Sequence, residues 1–529
     1  MMDQLAKTIA DLNFDPKSDQ GRIVVSQLVE ASSSNEDTTC LIGPVMKLLP
    51  SLDLGVKKSI HHILPRLCKK HPQAAVLAVN CVLHDCGDPN PEVKCLGVAS
   101  ICAIPEFTEH VSGVVQTLLS DPHPKVRLAA VNGCRALHKH SPAAPLELGL
   151  IDILYSLVRD SDSKVSTAAI LTLDFLLAEE GGVIVTKAMA KHLLRRLGSY
   201  PPPQLASVLQ ALAKYKPKEE AEIFEELSLI DPYLVYSQYS AVNVNSINLF
   251  LTLIEGPFEH LVDQLVQRSS PSLVEYLSST SESTATLVIN FLSGARGKNW
   301  LQDLPSASLV PRMTDSSNVK MKKMALLSVT CRNDEVEKVL TSITPFCYEN
   351  SCGQQAIQCL CEIRAKFESS ASKCLSVILQ LLDSPDPQVL RNTLAGVEKF
   401  SFEGIPSEEI LKTLEKIVDR MDLFKPESIP SVLPHLLGLH GETLPTAPYI
   451  LEHLVNNYEQ LTEETRMFLL VGTLRLFLKQ PGECQLTLGR LFQFCVNDCD
   501  NILLSEKATK FYKILTYDPE LMKAILGVN

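Results

Sequence analysis

The sequence predicts an all-α fold: an α-solenoid of HEAT- or armadillo-type helical repeats wound into a curved superhelix. One helix pattern recurs in a single register, with intervals of 37, 33 and 39 residues between copies. Proline-marked turns separate the copies. The 529 residues are 45% hydrophobic but only 6% aromatic, which suits helix-on-helix packing by Leu, Ile, Val and Ala. A helical period of 33 to 47 residues is the signature of such arrays, and no composition shift divides the chain into separate domains.

In each copy, apolar or small residues follow a valine at +3, +4, +7, +8 and +11. The first copy is Val56, Ser59, Ile60, Ile63, Leu64 and Leu67. The second is Val93, Leu96, Gly97, Ser100, Ile101 and Ile104. The third is Val126, Ala129, Ala130, Gly133, Cys134 and Leu137, and the fourth is Val165, Ala168, Ala169, Thr172, Leu173 and Leu176. At 3.6 residues per turn these offsets share one helix face. Val242 to Leu253 and Val389 to Phe400 keep the register more loosely.

Asp88-Pro89-Asn90-Pro91, Asp121-Pro122-His123-Pro124 and Ser384-Pro385-Asp386-Pro387 read as turns that cap the following helix and place proline in its first turn. Asp88 precedes Lys94, and Asp121 precedes Arg127, by six residues. Three readings are open: the pair bonds directly, it ties neighbouring turns together, or a capping acid stands beside a solvated base. Tyr200 to Pro203, Gly256-Pro257, Ser278 to Thr284 and residues 426–434 read as loops or turns. Ser316 to Val319 opens a helix, and Gly181-Gly182 stops one. About a dozen helical pairs follow from period and length.

A net charge of −12 and a single tryptophan, Trp300, make nucleic acid a poor partner. The sixteen cysteines lie inside apolar helical stretches without a CxxC pair, so they read as small core residues in a reducing compartment. No signal peptide opens the chain. The strongest apolar run, Met467 to Leu478, is too short to span a bilayer and carries Arg475. No phosphate-binding glycine loop or HExxH is present. His61-His62, His138 and His140 have no acid or thiol at metal spacing and read as structural, so no catalytic residue, cofactor or metal is expected. Leu379 to Asp383 has the look of an acidic-leucine docking peptide, but its leucines continue a buried helix face.

Two basic clusters remain. Lys57, Lys58, Arg66, Lys69 and Lys70 fall on or just after one helix, and Lys320, Lys322 and Lys323 open another. Either is a solvated face balancing acidic neighbours or a patch facing a partner or anionic lipid, each charge then contributing about 1 kcal/mol near the surface.

The run Asp88 to Val93, followed by Pro105-Glu106-Phe107-Thr108-Glu109, resembles the trunk of the β-adaptins. Pro124 to Arg127, Ala129 to Val131, Leu137-His138 and Tyr215 to Lys218 resemble it too. Within that family the chain most resembles the β subunits of adaptor protein complex 4, on Leu154 to Asp160, Glu180 to Ile184, Gly438 to Glu442, Pro445 to Glu452 and Leu474 to Leu491. The central part resembles the family weakly and the first forty residues hardly at all.

The resemblance implies a non-enzymatic large subunit of a heterotetrameric adaptor complex, with residues 1–529 as an adaptin trunk lacking hinge and appendage. The implied partners are a second large adaptin and the medium and small subunits. An Arf-type GTPase would recruit the complex to Golgi or trans-Golgi network membranes, leaving the chain cytoplasmic and peripheral, with cargo sorted into vesicles. Nucleic acid and clathrin gain no support as partners. The rival readings are another helical-repeat scaffold, such as a nuclear transport receptor or phosphatase scaffold subunit, and a HEAT-like enzyme acting on nucleic acid.

Overall fold

The computed structural model describes residues 7–9, 18–32, 38–235, 238–256, 258–402, 404–420, 431–498 and 501–527. Among them every regular element is helical. The chain forms two compact units, residues 1–272 and 273–529.

In the first unit the main helices are α1 (Asp19–Ser32), α2 (Leu54–Lys70), α3 (Gln73–Cys86), α4 (Pro91–Ala103), α5 (Thr108–Leu119) and α6 (Pro124–His140). They continue with α7 (Leu150–Leu157), α8 (Ser163–Leu176), α9 (Lys187–Arg195), α10 (Pro202–Leu212), α11 (Glu220–Ile230) and α12 (Ser240–Ile254). The even-numbered helices α2 to α10 stack in succession, each on the next, and α10 packs on α12. The four register copies are α2, α4, α6 and α8, as the spacing predicts.

Their burial refines the pattern. The +4, +7 and +8 positions are buried in all four copies, whereas +3 (Ser59, Leu96, Ala129, Ala168) is only half-buried. Position +5, absent from the sequence pattern, is buried in all four: His61, Val98, Val131 and Ile170. The apolar stripe is therefore wide, because each of these helices touches both its own pair-mate and the neighbouring repeats.

Small residues sit where backbones approach. A Cβ on Gly97 would lie 2.8 Å from the Cys86 amide nitrogen, and one on Gly133 would lie 2.8 Å from Cys102 Sγ. The turns behave as anticipated, with some reassignment. Asn90, not Asp88, caps α4 by accepting from the Glu92 amide at 3.0 Å. His123 Nδ1 accepts from the Lys125 amide at 3.2 Å. Gly181 and Gly182 take φ of 93° and 85°, left-handed backbone that suits glycine at a helix stop. Helix Glu282–Ser293 begins inside the expected 278–284 loop, with Ser281 as its cap.

In the second unit, α13 (Ser317–Thr330), α14 (Gly353–Lys366) and α15 (Pro387–Lys399) stack in order, and α16 (Val432–His440) packs on α17 (Glu463–Lys479). The final helices are α18 (Pro481–Val496), α19 (Ile502–Tyr517) and α20 (Pro519–Leu526). Of the turn expected at 426–434, residues 426–430 lie outside the described residues, and Leu433 and Pro434 are already in α16. The same register governs α17, where Thr465, Leu469, Gly472, Thr473 and Leu476 are all buried. It also governs α14, through Cys352, Ala356, Cys359, Leu360 and Ile363.

Polar links tie successive repeats at two fixed positions. At +1, Lys94 Nζ reaches Asp121 Oδ2 at 2.7 Å. Arg127 grips Asp160 with two bonds, Nε to Oδ2 at 2.7 Å and Nη2 to Oδ1 at 2.8 Å. Its Nη1 donates to the Asp121 carbonyl at 2.9 Å, so one guanidinium spans two turns. Neither base bonds the carboxylate six residues before it, and of the readings open from sequence, the link between neighbouring turns is the one formed. Lys57, also at +1, is buried against Asp85. In the second unit Lys320 pairs with Glu349 at 2.9 Å, and Arg466 pairs with Asp498 at 3.0 Å. At +14, His140 bonds the Cys102 carbonyl at 2.9 Å and Lys479 donates to the Leu439 carbonyl at 2.8 Å. Lys366 reaches the Ser328 carbonyl in the same way. These links satisfy the free carbonyls at the end of the preceding helix.

Magnitudes separate these links. Breaking a buried pair such as Lys57–Asp85 leaves a desolvated charge and costs about 3–5 kcal/mol. An exposed pair such as Lys58–Glu92 contributes about 0–1 kcal/mol.

Two outcomes follow. A Cβ on Gly472 would lie 2.0 Å from the Pro434 carbonyl oxygen, whereas one on Gly489 meets nothing within 4 Å. Gly472→Ala is therefore expected to destabilise by about 1–3 kcal/mol. Gly489→Ala is expected to stabilise by about 0.5–1 kcal/mol, with thermal unfolding of both variants reading the opposite signs.

Burial pushes the carboxyls of Asp85, Asp121 and Asp160 up, but hydrogen bonds outweigh it and hold all three below the ordinary value of 3.8. The donors are His61 and Lys57 for Asp85, Lys94 and the His123 amide for Asp121, and Arg127 and the Asp162 amide for Asp160. Their stabilisation is complete above the unfolded-state pKa and is lost as pH falls through the lower folded values. Urea titrations are expected to show this component intact at pH 5 and lost below about pH 4. Asp160→Asn is expected to remove part of it at neutral pH.

Candidate interaction surface

The first basic cluster divides in the structure. Lys57 is 5% exposed and points inward, where Asp85 also accepts from His61 Nε2 at 2.9 Å. His61 Nδ1 meets Ser100 Oγ at 2.7 Å, so four side chains from α2, α3 and α4 form one buried polar network. Lys57 thus belongs to the repeat-to-repeat links and is no part of an outward patch. His61 does have an acidic neighbour, which sequence spacing could not reveal, since Asp85 lies 24 residues away on another helix.

Lys58 is exposed and bonds Glu92 at 2.9 Å. Arg66, Lys69 and Lys70 are exposed at the C-terminal end of α2, where positive charge also complements the helix dipole. The second cluster is mostly internal. Lys323 is 1% exposed and pairs with Asp315 at 2.8 Å, Lys320 is buried against Glu349, and only Lys322 lies outward, on Asn290 at 3.1 Å.

The remaining chemistry-bearing residues are tied into packing. Among the described residues the cysteines are free thiols. Burial pushes Cys68, Cys86, Cys134, Cys347 and Cys361 up to about 12, leaving them protonated and unreactive. His138 Nδ1 lies 3.1 Å from the Pro142 carbonyl, and its ring packs edge-on to Phe175. Leu381 and Leu382 are buried, as a core reading of that helix requires. No group of three or more His, Cys, Asp or Glu among the described residues could hold a metal ion. No helix among them is long and apolar enough to cross a membrane.

The second unit exposes an apolar set on its last two helices, with Ile502, Leu503, Tyr512 and Tyr517 on α19 and Leu521 and Ile525 on α20. The first unit exposes Val76 and Leu77 on α3. Sequence reading missed both sets, because an apolar residue off the shared register looks the same as one that completes a core.

Comparison with known proteins agrees with this geometry. The adaptin N-terminal region family matches residues 2–519. The mouse (Mus musculus) AP-4 complex subunit beta-1 is 27% identical over 535 residues, covering 99% of this chain and 71% of that protein. The human (Homo sapiens) AP-1 complex subunit beta-1 is 23% identical over 528 residues, covering 98% of this chain. The chain spans 55% of that protein's length. A chain in a homology model of the full-length AP-3 complex in an intermediate open conformation shares the fold, with a TM-score of 0.52 and 15% identity. The match covers 100% of this chain and 93% of that one. The chain belongs to the adaptin N-terminal region family, whose members are structural adaptor subunits and not enzymes.

Proposed function

We propose that residues 1–529 form the trunk of a large β-type subunit in a heterotetrameric adaptor complex. The complex sorts cargo in vesicle-mediated protein transport of the trans-Golgi network to endosome type. The chain assembles with a second large adaptin, a medium subunit and a small subunit. It reaches the cytoplasmic face of Golgi or trans-Golgi network membranes peripherally, through the complex and an Arf-type GTPase. Its role is to present surface, with no catalysis of its own.

The observation that carries this reading is the adaptin match over 2–519, together with similarity to two β subunits along nearly the whole chain. The physical organisation supports it. Within each unit successive helices stack on one another, an arrangement that offers surface along the stack. Lys58, Arg66, Lys69 and Lys70 are the basic residues of the first cluster left facing outward, and they are the proposed partner- or lipid-facing positions.

The test is to tag the chain, purify it from its own cells and identify co-purifying proteins by mass spectrometry. One other large adaptin with medium and small subunits is expected in comparable amounts. Recovery of none of them, from a chain shown to be folded, would overturn the proposal. Recovery of a Ran-type GTPase or a phosphatase catalytic subunit instead would point to a different helical scaffold.

A further inference from the structure

Helix α20 (Pro519–Leu526) is attached to the second unit by little. Only Met522 and Leu526 among its side chains are buried, while Leu521, Ala524 and Ile525 face outward. Eight residues are too few to keep a helix formed by backbone bonds alone, so its hold on α17 and α19 decides whether it stays in place. At its last turn Gly527 goes left-handed, with φ of 63°, and the Leu526 carbonyl accepts from Arg475 Nε of α17 at 3.1 Å. A guanidinium at the carbonyl end of a helix meets the negative end of its dipole, which makes this bond the polar anchor of α20.

Arg475 is itself held from the other side. Its Nη1 lies 3.3 Å from Nδ1 of His435 on α16. A guanidinium can only donate, so Nδ1 is the acceptor and the imidazole is neutral. Phe468 fixes the ring edge-on, with centroids 5.4 Å apart. The charges that act on His435 are Arg475 and, on its own helix, His440, and neither is a carboxylate. One turn beyond Arg475, Lys479 pairs with Glu442 at 3.1 Å. Helix Ser407–Asp419, which also packs on α16, directs Lys416 to Asp383, leaves Glu408, Lys412, Glu415 and Asp419 exposed and keeps Glu409 half-buried. On α20, Lys523 pairs with Glu520 at 2.9 Å.

We propose that α20 is a latch released by acid, with His435 as its trigger. A proton taken up at Nδ1 turns the acceptor into a donor and sets two cations side by side. Arg475 then swings away from the Leu526 carbonyl, and α20 leaves, uncovering the apolar seat of Met522 and Leu526. This device lies in the chain itself and does not depend on which complex the chain joins.

Burial first, and then the positive Arg475 and His440, hold the His435 ring below its ordinary value of 6.5. The latched state therefore disfavours the proton, while the released state takes it at the ordinary value. The latch is at full strength above about pH 6.5 and weakens as pH falls through the lower latched value.

The experiment is hydrogen–deuterium exchange of the full chain at pH 7.5 and pH 5.2, with labelling times scaled for the pH dependence of intrinsic exchange. Residues 519–527 are expected to exchange at least about threefold faster at pH 5.2 after scaling, with α18 unchanged. His435→Asn, whose Oδ1 stands in for Nδ1 and does not titrate, is expected to keep α20 equally protected at both pH values. Equal scaled rates in the native chain, the same rise in His435→Asn, or an equal rise across α18 would each overturn the proposal. The native comparison needs no variant to fold, and no other adaptor subunit takes part. Failure here would therefore leave the adaptor assignment standing.

Discussion

Arg127 joins its own turn to the next, gripping the Asp160 carboxylate with two bonds while donating to the Asp121 carbonyl behind it. A helix pair of this kind cannot cover its own apolar stripe, so it is stable only when a neighbour covers it. Burial supplies the attraction, but it is not directional and would tolerate a slip of a turn between repeats. The +1 ion pairs and the +14 carbonyl bonds are directional, and they hold each helix at one height against the next. The close approaches at Gly97, Gly133 and Gly472 are possible only at that height.

This division of labour explains what could be read from the sequence. The register at +4, +7 and +8 was legible because burial selects apolar or small residues and 3.6 residues per turn sets their spacing. The +5 position was hidden in the first copy, where His61 stands in place of Val98, Val131 and Ile170. A histidine there reads as a polar face until Asp85 and Ser100, both distant in sequence, are placed beside it. Lys57 was misplaced for a related reason. It looked like one of five clustered bases, yet it shares position +1 with Lys94 and Arg127, and that common offset was the available signal. Burial of Lys323 at +4 of the Val319 register was equally open to view once the register was extended into the second unit.

The burial of Glu222 and Glu226 was not legible at all. They lie among five glutamates within eight residues, and only packing against α9 and its other neighbours turns these two inward. The same holds for the exposed apolar residues of α19 and α20. Surface chemistry follows from which residues are left over after the repeats have packed. The outward residues Lys58, Arg66, Lys69 and Lys70 acquire meaning only after Lys57 has been removed from their set.

The central claim is that directional links couple each repeat to the next. Hydrogen–deuterium exchange of the full chain, comparing the native protein with Asp160→Ala, tests it most directly. Coupled repeats predict faster exchange in α6 and α8 together, on both sides of the broken link. Faster exchange confined to residues 158–162, with α6 and α8 unchanged, would contradict the account and leave burial alone to hold the repeats in register.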